Sequence, residues 1–251
     1  MESNRKNNGP DYSDTGQWQL IVNISRNGIF AGLHIRHSDE PARRILLSQQ
    51  WDVSDEGLLD RIEDSIYDNP SVLDDYSADI VIETPRTIFV PTEILNADDD
   101  PASFFTEIYN VLPEEIMRED VGGVTALFFL TPGLKSFLAR TFPGARFRSH
   151  LMCKYHRIRK AAGATARLYA TVRNGEADLI LVSGANLVSA STQKWQTPTD
   201  LAYRLFNLLD VYSMSGPEVE IHINGKHPEA IGNLAEFARQ YFHTVTIHSE
   251  K

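Results

Sequence analysis

The sequence predicts an α/β protein made of two similar sheet-and-helix halves, and three observations carry that reading. Strand-like apolar runs alternate with amphipathic helical stretches along the chain, the pattern of packed α/β layers. The turn Arg-Asn-Gly occurs at residues 26–28 and again at 173–175, each time between two strand-like runs. Trp51 and Trp195 each end a third strand just before a helix.

In the first half, Trp18–Ser25 (WQLIVNIS) and Ile29–Arg36 (IFAGLHIR) alternate and are rich in β-formers. Asn27-Gly28 between them is a strong hairpin signal, because a type I′ turn needs positive φ at both central residues. A third strand is expected at Arg44–Trp51. Ser54 then caps a helix whose apolar positions Leu58, Leu59, Ile62 and Ile66 share one face. Asp79–Glu83 (DIVIE) completes a β-β-β-α-β unit.

The same order returns in the second half. Arg167–Arg173 (RLYATVR) and Asp178–Ser183 (DLILVS) flank the second Arg-Asn-Gly turn, and a strand at Leu187–Trp195 follows. Thr197-Pro198 opens a helix with Leu201, Leu205, Leu208, Leu209 and Tyr212 on its buried stripe, since proline suits the first helical turn. Glu218–Ile223 reads as a strand, Glu229–Phe242 as a helix and Thr244–His248 as a closing strand. Between the halves, Phe104–Leu112 and Pro132–Thr141 are expected to be helices, and Val124–Leu130 and Ala145–Ser149 strands. Leu151–Ala162 is expected to be a basic helix bridging the two. The expected division is a disordered tail over residues 1–16, an N-terminal lobe over 17–150 and a C-terminal lobe over 151–251, with a cleft between the lobes.

Composition narrows the function classes. Apolar residues make up 42% and charged residues 23% of the 251 residues, a balance that buries a real core. No apolar run approaches the ~18 residues needed to span a bilayer, and the polar N-terminus carries neither a secretory nor a transit pattern. Cys153 is the one cysteine, so no intrachain disulfide can form and the expected compartment is the cytoplasm. A buried lone cysteine usually behaves as a small apolar residue. The net charge of -10 argues against general binding of nucleic acid or anionic membrane. Charge is nonetheless segregated: residues 121–175 contain no Asp or Glu, whereas in 52–120 only Arg61, Arg86 and Arg118 offset many acids.

Two β-β-β-α-β-α-β lobes facing one cleft resemble the actin-like ATPase superfamily of actin, sugar kinases and seventy-kilodalton heat-shock proteins, whose lobes are ribonuclease-H-like. The C-terminal half resembles a family of uncharacterised bacterial proteins of that fold. The resemblance lies in Leu168–Tyr212, LYATVRNGEADLILVSGANLVSASTQKWQTPTDLAYRLFNLLDVY. It implies a duplicated actin-like arrangement and no assigned biochemical function.

The superfamily's chemistry needs three stations. Active members carry an Asp-x-Gly-type loop in the first hairpin, whose Asp holds Mg²⁺-bound water. Here that hairpin reads Asn23-Ile24-Ser25-Arg26-Asn27-Gly28, with no acid. The second hairpin reads Thr171-Val172-Arg173-Asn174-Gly175, and Glu176 and Asp178 come only after the turn. The adenosine station, an apolar strand ending in two glycines, is Ile221-His222-Ile223-Asn224-Gly225-Lys226, with one. The resemblance therefore places an ATP site at Arg26, Asn27, Gly28, Arg173, Asn174, Gly175, Asn224 and Gly225 in the cleft, with Arg26 and Arg173 able to meet phosphate. Without metal carboxylates, efficient phosphoryl transfer is not expected.

Other constellations are weaker. His34 and His37, three apart in a strand, point to opposite faces and cannot easily share an ion. His222 and His248 suggest metal ligands only by type, and no metal, P-loop or Gly-x-Ser-x-Gly motif is present. Strand one offers Asn23 and Ser25 where ribonuclease-H-like nucleases root a carboxylate cluster. Asp98-Asp99-Asp100 reads as a solvated loop and helix start. In His150–Lys160, Leu151, Tyr155 and Ile158 would face inward and leave Lys154, Arg157 and Lys160 as a stripe, expected to pair with the acidic first half rather than with nucleic acid. The expectation is a non-catalytic binding or assembly module, a pseudoenzyme with an unidentified protein partner and no membrane contact. The alternatives are a slow Mg²⁺-dependent ATPase or kinase-like enzyme, whose metal Glu176 or Asp178 would hold, and a nucleic-acid adaptor using residues 150–160.

Overall fold

A computed structural model of the chain describes residues 12, 14–38, 40–52, 56–95, 101–160, 163, 165–214 and 218–248. In chain order the elements are β1 (Trp18–Ser25), β2 (Gly28–Ile35), β3 (Arg44–Gln50), α1 (Leu58–Tyr67), β4 (Ser77–Ile82), β5 (Thr87–Pro91) and α2 (Pro101–Tyr109). They continue with β6 (Ile116–Val121), β7 (Val124–Phe129), α3 (Leu134–Thr141), β8 (Arg146–Ser149), α4 (His150–Lys160), β9 (Ala166–Val172) and β10 (Glu176–Ser183). The last are β11 (Asn186–Lys194), α5 (Pro198–Val211), β12 (Val219–Gly225), α6 (Pro228–Ala238) and β13 (Thr244–Ile247). Ser54, Asp98, Asp99 and Asp100 lie outside the described residues.

The chain forms two compact units: residues up to Glu83 with Leu130–Arg148, and Thr84–Phe129 with Ser149 onward. Each is built on one five-stranded sheet, of order β3-β2-β1-β4-β8 in the first and β11-β10-β9-β12-β13 in the second. Both therefore follow β-β-β-α-β-α-β with an antiparallel hairpin on one side and a parallel neighbour on the other. In the first unit that order is interrupted after β4. The intervening residues 84–129 belong to the second unit, where β5, β7 and β6 form a separate three-stranded sheet.

In the first unit Leu20, Val22 and Ile24 alternate inward along β1, and α1 and α3 contribute Leu58, Ile62, Ile66, Leu134, Phe137 and Leu138 to the buried set. Buried Asp79 on β4 accepts two bonds from Arg146 on β8, at 2.7 and 2.9 Å, and so fastens the short edge strand. Tyr12 and Asp14, within the segment expected to be a tail, make contacts: the Tyr12 ring lies 4.8 Å from that of Trp18, and Asp14 caps a short turn over Thr15–Gln17.

In the second unit one sheet face packs Leu168, Leu179, Leu181, Ile221 and Ile223 against Leu201, Leu205, Leu234 and Ala235 of α5 and α6. The other face sets Ile180, Val182 and Ala190 against Leu151, Met152 and Tyr155 of α4 and Ala126 of β7. Thr197 caps α5 by accepting from the Asp200 amide at 3.1 Å, and Asp200 Oδ2 in turn accepts from the Gln196 amide at 3.2 Å, with Pro198 in the first turn.

Two local expectations are corrected. Neither Arg26 nor Asn27 has positive φ, and in the second turn only Gly175 does (73°), so neither hairpin is type I′. Paired positive φ occurs instead at Gly122 and Gly123 (60° and 84°), between β6 and β7. Strands β5 and β6 were not anticipated: β6 carries Arg118-Glu119-Asp120, which hides its alternation, and β5 is only five residues ending in proline.

Candidate functional site

Beyond the second hairpin, Asp178 stands in β10 among Ala177, Leu179 and Ile180, all buried. Its carboxylate is wholly enclosed. Oδ1 accepts from Arg173 Nη2 at 2.6 Å and from the Thr192 hydroxyl at 2.7 Å, and His150 Nε2 lies 3.2 Å from it. Oδ2 accepts from Lys154 Nζ at 2.5 Å. Burial alone would push this carboxyl up, but the charge of Lys154, the charge and hydrogen bond of His150, and Arg173 outweigh it. They hold it well below the usual carboxylate range. Three elements thus converge on one anion: the hairpin through Arg173, α4 through His150 and Lys154, and β11 through Thr192.

Register explains the convergence. Thr192, Asp178, Thr171 and Asn224 are consecutive cross-strand partners on β11, β10, β9 and β12, so the four side chains share one face. On α4, His150 and Lys154 are four apart and therefore neighbours on one helix face.

The predicted site residues fall as follows. Arg173 is half-buried and bonded to Asp178, with Glu176 Oε2 3.8 Å away, while Asn174 and Gly175 are exposed at the turn. Gly225 (φ 135°) ends β12 against β9, where a Cβ would fall 1.9 Å from the Val172 carbonyl oxygen. That glycine serves strand packing. Asn224 Oδ1 beside it is buried with no hydrogen-bond partner among the described residues. In the first unit Arg26 is half-buried and Asn27 exposed at the two-residue turn. Gly28 already belongs to β2, where a Cβ would lie 2.6 Å from the Gln49 carbonyl oxygen, so close approach by β3 explains it. Trp51 donates its backbone N–H to Asn27 O and Trp195 its own to Gly175 O, both at 3.0 Å, which seats each third strand against its hairpin turn.

For Lys154 the expected pairing of the basic helix is corrected. Lys154 meets Asp178 of its own unit rather than the acidic first half. Leu151 and Tyr155 are buried and Ile158 packs beside them, as the spacing predicts, and Arg157 and Lys160 are exposed. The expectation overlooked His150 and Thr192 as partners; the available signal was an acid followed by an apolar strand run, Asp178 before Leu179–Val182, since an acid needs cations when buried. His34 Nδ1 bonds the Glu40 carbonyl at 3.1 Å, and His37 lies beyond β2 with φ 62°. His222 Nδ1 and His248 Nε2 come within 3.0 Å. Among the described residues no three His, Cys, Asp or Glu are grouped to hold a metal ion, and no helix is long and apolar enough to cross a membrane.

Paired five-stranded sheets of one strand order, each with its hairpin, define a protein of actin-like ATPase fold. The structure of a protein with actin-like ATPase fold and unknown function from Bacteroides thetaiotaomicron matches with TM-score 0.83 and 18% identity, covering 96% of this chain and 94% of that one. A PilM-PilN type IV pilus biogenesis complex matches with TM-score 0.54 and 11% identity, covering 92% and 88%. The chain belongs to the DUF3822 family, described as protein of unknown function, whose model matches residues 10–245. None of the curated proteins matches it.

Proposed function

We propose that this protein is a non-catalytic binding or assembly module that keeps the actin-like fold without its phosphoryl-transfer chemistry, works in the cytoplasm and acts through a protein partner. The observation that carries this reading is the saturation of Asp178. Asp178, the buried acid beyond the second hairpin, is enclosed by Lys154, Arg173, His150 and Thr192. A Mg²⁺ ion bound there would have to displace a lysine ammonium from a buried carboxylate, at the cost of leaving buried charge unpaired. Arg173, the residue expected to meet phosphate, is engaged by the same carboxylate. The similarity in fold to a PilM-PilN complex supports a protein as the partner class.

The test is calorimetric titration with ATP, ADP and a non-hydrolysable analogue, with and without Mg²⁺. No heat and no thermal stabilisation are expected. Micromolar Mg²⁺-dependent binding accompanied by turnover would overturn the reading.

A second reading, in which nucleotide is held without turnover, is favoured by one observation: the buried, unsatisfied Asn224 Oδ1. An amine or hydroxyl of a ligand would satisfy it. Binding of ATP that Asn224→Ala abolishes and Mg²⁺ does not affect would select this reading.

A further inference from the structure

A second titratable cluster lies on the same sheet, at its β13 edge. His222 on β12 and His248, the residue after β13, face each other with Nδ1 and Nε2 3.0 Å apart. Their ring centroids are 5.2 Å apart and their planes within 20°. Nitrogens this close in nearly parallel rings with such distant centroids meet edge to edge, as an N–H···N hydrogen bond requires. Tyr169, the β9 cross-strand partner of His222, stacks on its other side with centroids 4.6 Å apart and planes at 12°.

The charged groups facing the pair come from β12 and β9. On β12, Glu220 Oε2 is 3.6 Å from His222 Nε2, and its other oxygen accepts from Thr165 at 3.1 Å. On β9, Tyr169 stacks on His222, and Arg167, which is buried, adds positive potential. Burial first, then the charge of His248, hold His222 below the ordinary histidine range, with Glu220 opposing them.

An N–H···N bond holds one proton between the facing nitrogens. It survives with both rings neutral, one donating and one accepting, and it survives a single protonation. A second proton sets two N–H groups head to head between like charges, and the bond is lost. What the bond holds is the end of the last strand. β13 is four residues long, sits at the sheet edge and pairs with β12 alone, and the His248 amide donates to Ile223 O at 2.8 Å.

We propose that His222 and His248 form an acid-opened latch that fastens the end of β13 to β12 and releases it when both imidazoles are protonated. Opening would bare the backbone edge of β12, the kind of edge that accepts another strand. The sign follows from linkage. A histidine whose folded value is depressed contributes stability above its unfolded value of ~6.5, and that contribution is lost as pH falls through the lower folded value.

Hydrogen exchange of residues 244–248, corrected for intrinsic pH dependence and referenced to β9 and β10, tests this independently of any nucleotide. Between neutral pH and pH 5, protection of the wild-type segment should fall roughly tenfold, while the reference strands hold. His248→Gln and His222→Gln should remove that pH dependence. Glu220→Gln, which keeps both rings but removes the opposing carboxylate, should move the opening to lower pH. Protection that does not change with pH in the wild type, or pH dependence that persists unaltered in His248→Gln, overturns the proposal. Should the histidine variants fail to fold, an unmoved midpoint in Glu220→Gln overturns it as well.

Discussion

Lys154 Nζ lies 2.5 Å from Asp178 Oδ2, joining the start of α4 to a strand whose other side chains are almost all apolar. The bond closes a shell in which one enclosed carboxylate is met by a lysine, an arginine, a histidine and a threonine.

Removing that carboxylate should be costly. Asp178→Asn keeps the shape but strands Lys154 and Arg173 beside a neutral group, so a loss of about 3 kcal/mol is expected in urea unfolding. Conversely, Lys154→Met should cost less than Asp178→Asn, because Arg173, His150 and Thr192 still serve the carboxylate.

The same group sets an acid limit. Asp178 is depressed when folded, so its contribution is fully present above the unfolded carboxyl value of ~3.9 and is lost as pH falls through the lower folded value. Acid unfolding followed by circular dichroism should therefore show a steeper low-pH limb in the wild type than in Asp178→Asn.

Two glycines at positive φ should respond differently to alanine. At Gly225 a Cβ meets backbone at 1.9 Å, so Gly225→Ala should cost about 3 kcal/mol or prevent folding. At Gly175 a Cβ meets nothing within 4 Å, and only the conformational cost of about 1 kcal/mol applies. Thermal melts of the two variants separate the cases.

The two tryptophans that directly follow the third strands offer a matched pair. Trp51 Nε1 donates to the Arg26 carbonyl at 2.9 Å, whereas buried Trp195 Nε1 has no partner among the described residues. Trp51→Phe should lose about 1 kcal/mol more than Trp195→Phe, because only the first gives up a hydrogen bond. Chemical denaturation measures the difference directly.

Legibility in the sequence followed the strength of local signals. The strands of both five-stranded sheets and the capped start of α5 were readable because alternation and Thr197-Pro198 act within a few residues. Strand β6 was hidden because three successive charges on an edge strand mask its period. The hairpin turns were legible in position and misread in conformation. Gly28 and Gly225 answer to a neighbouring strand's backbone, which no local window contains. Asp178 illustrates the same limit: its partners at 150, 154 and 192 meet it only through register and helix packing.

The excursion of residues 84–129 has a consequence for synthesis. The chain leaves the first unit at Glu83 and re-enters it at Leu130, so this stretch is made before the first sheet has its last strand. Ala126 finds Ile180, Val182 and Ala190 only once β10 and β11 have left the ribosome. Until then the part of its surface that these two strands cover stays open, while the first sheet can already close. Neither unit can be cut out as a single continuous stretch of chain, and a truncation placed directly after β8 carries with it an insert deprived of the β10 and β11 surface that covers it.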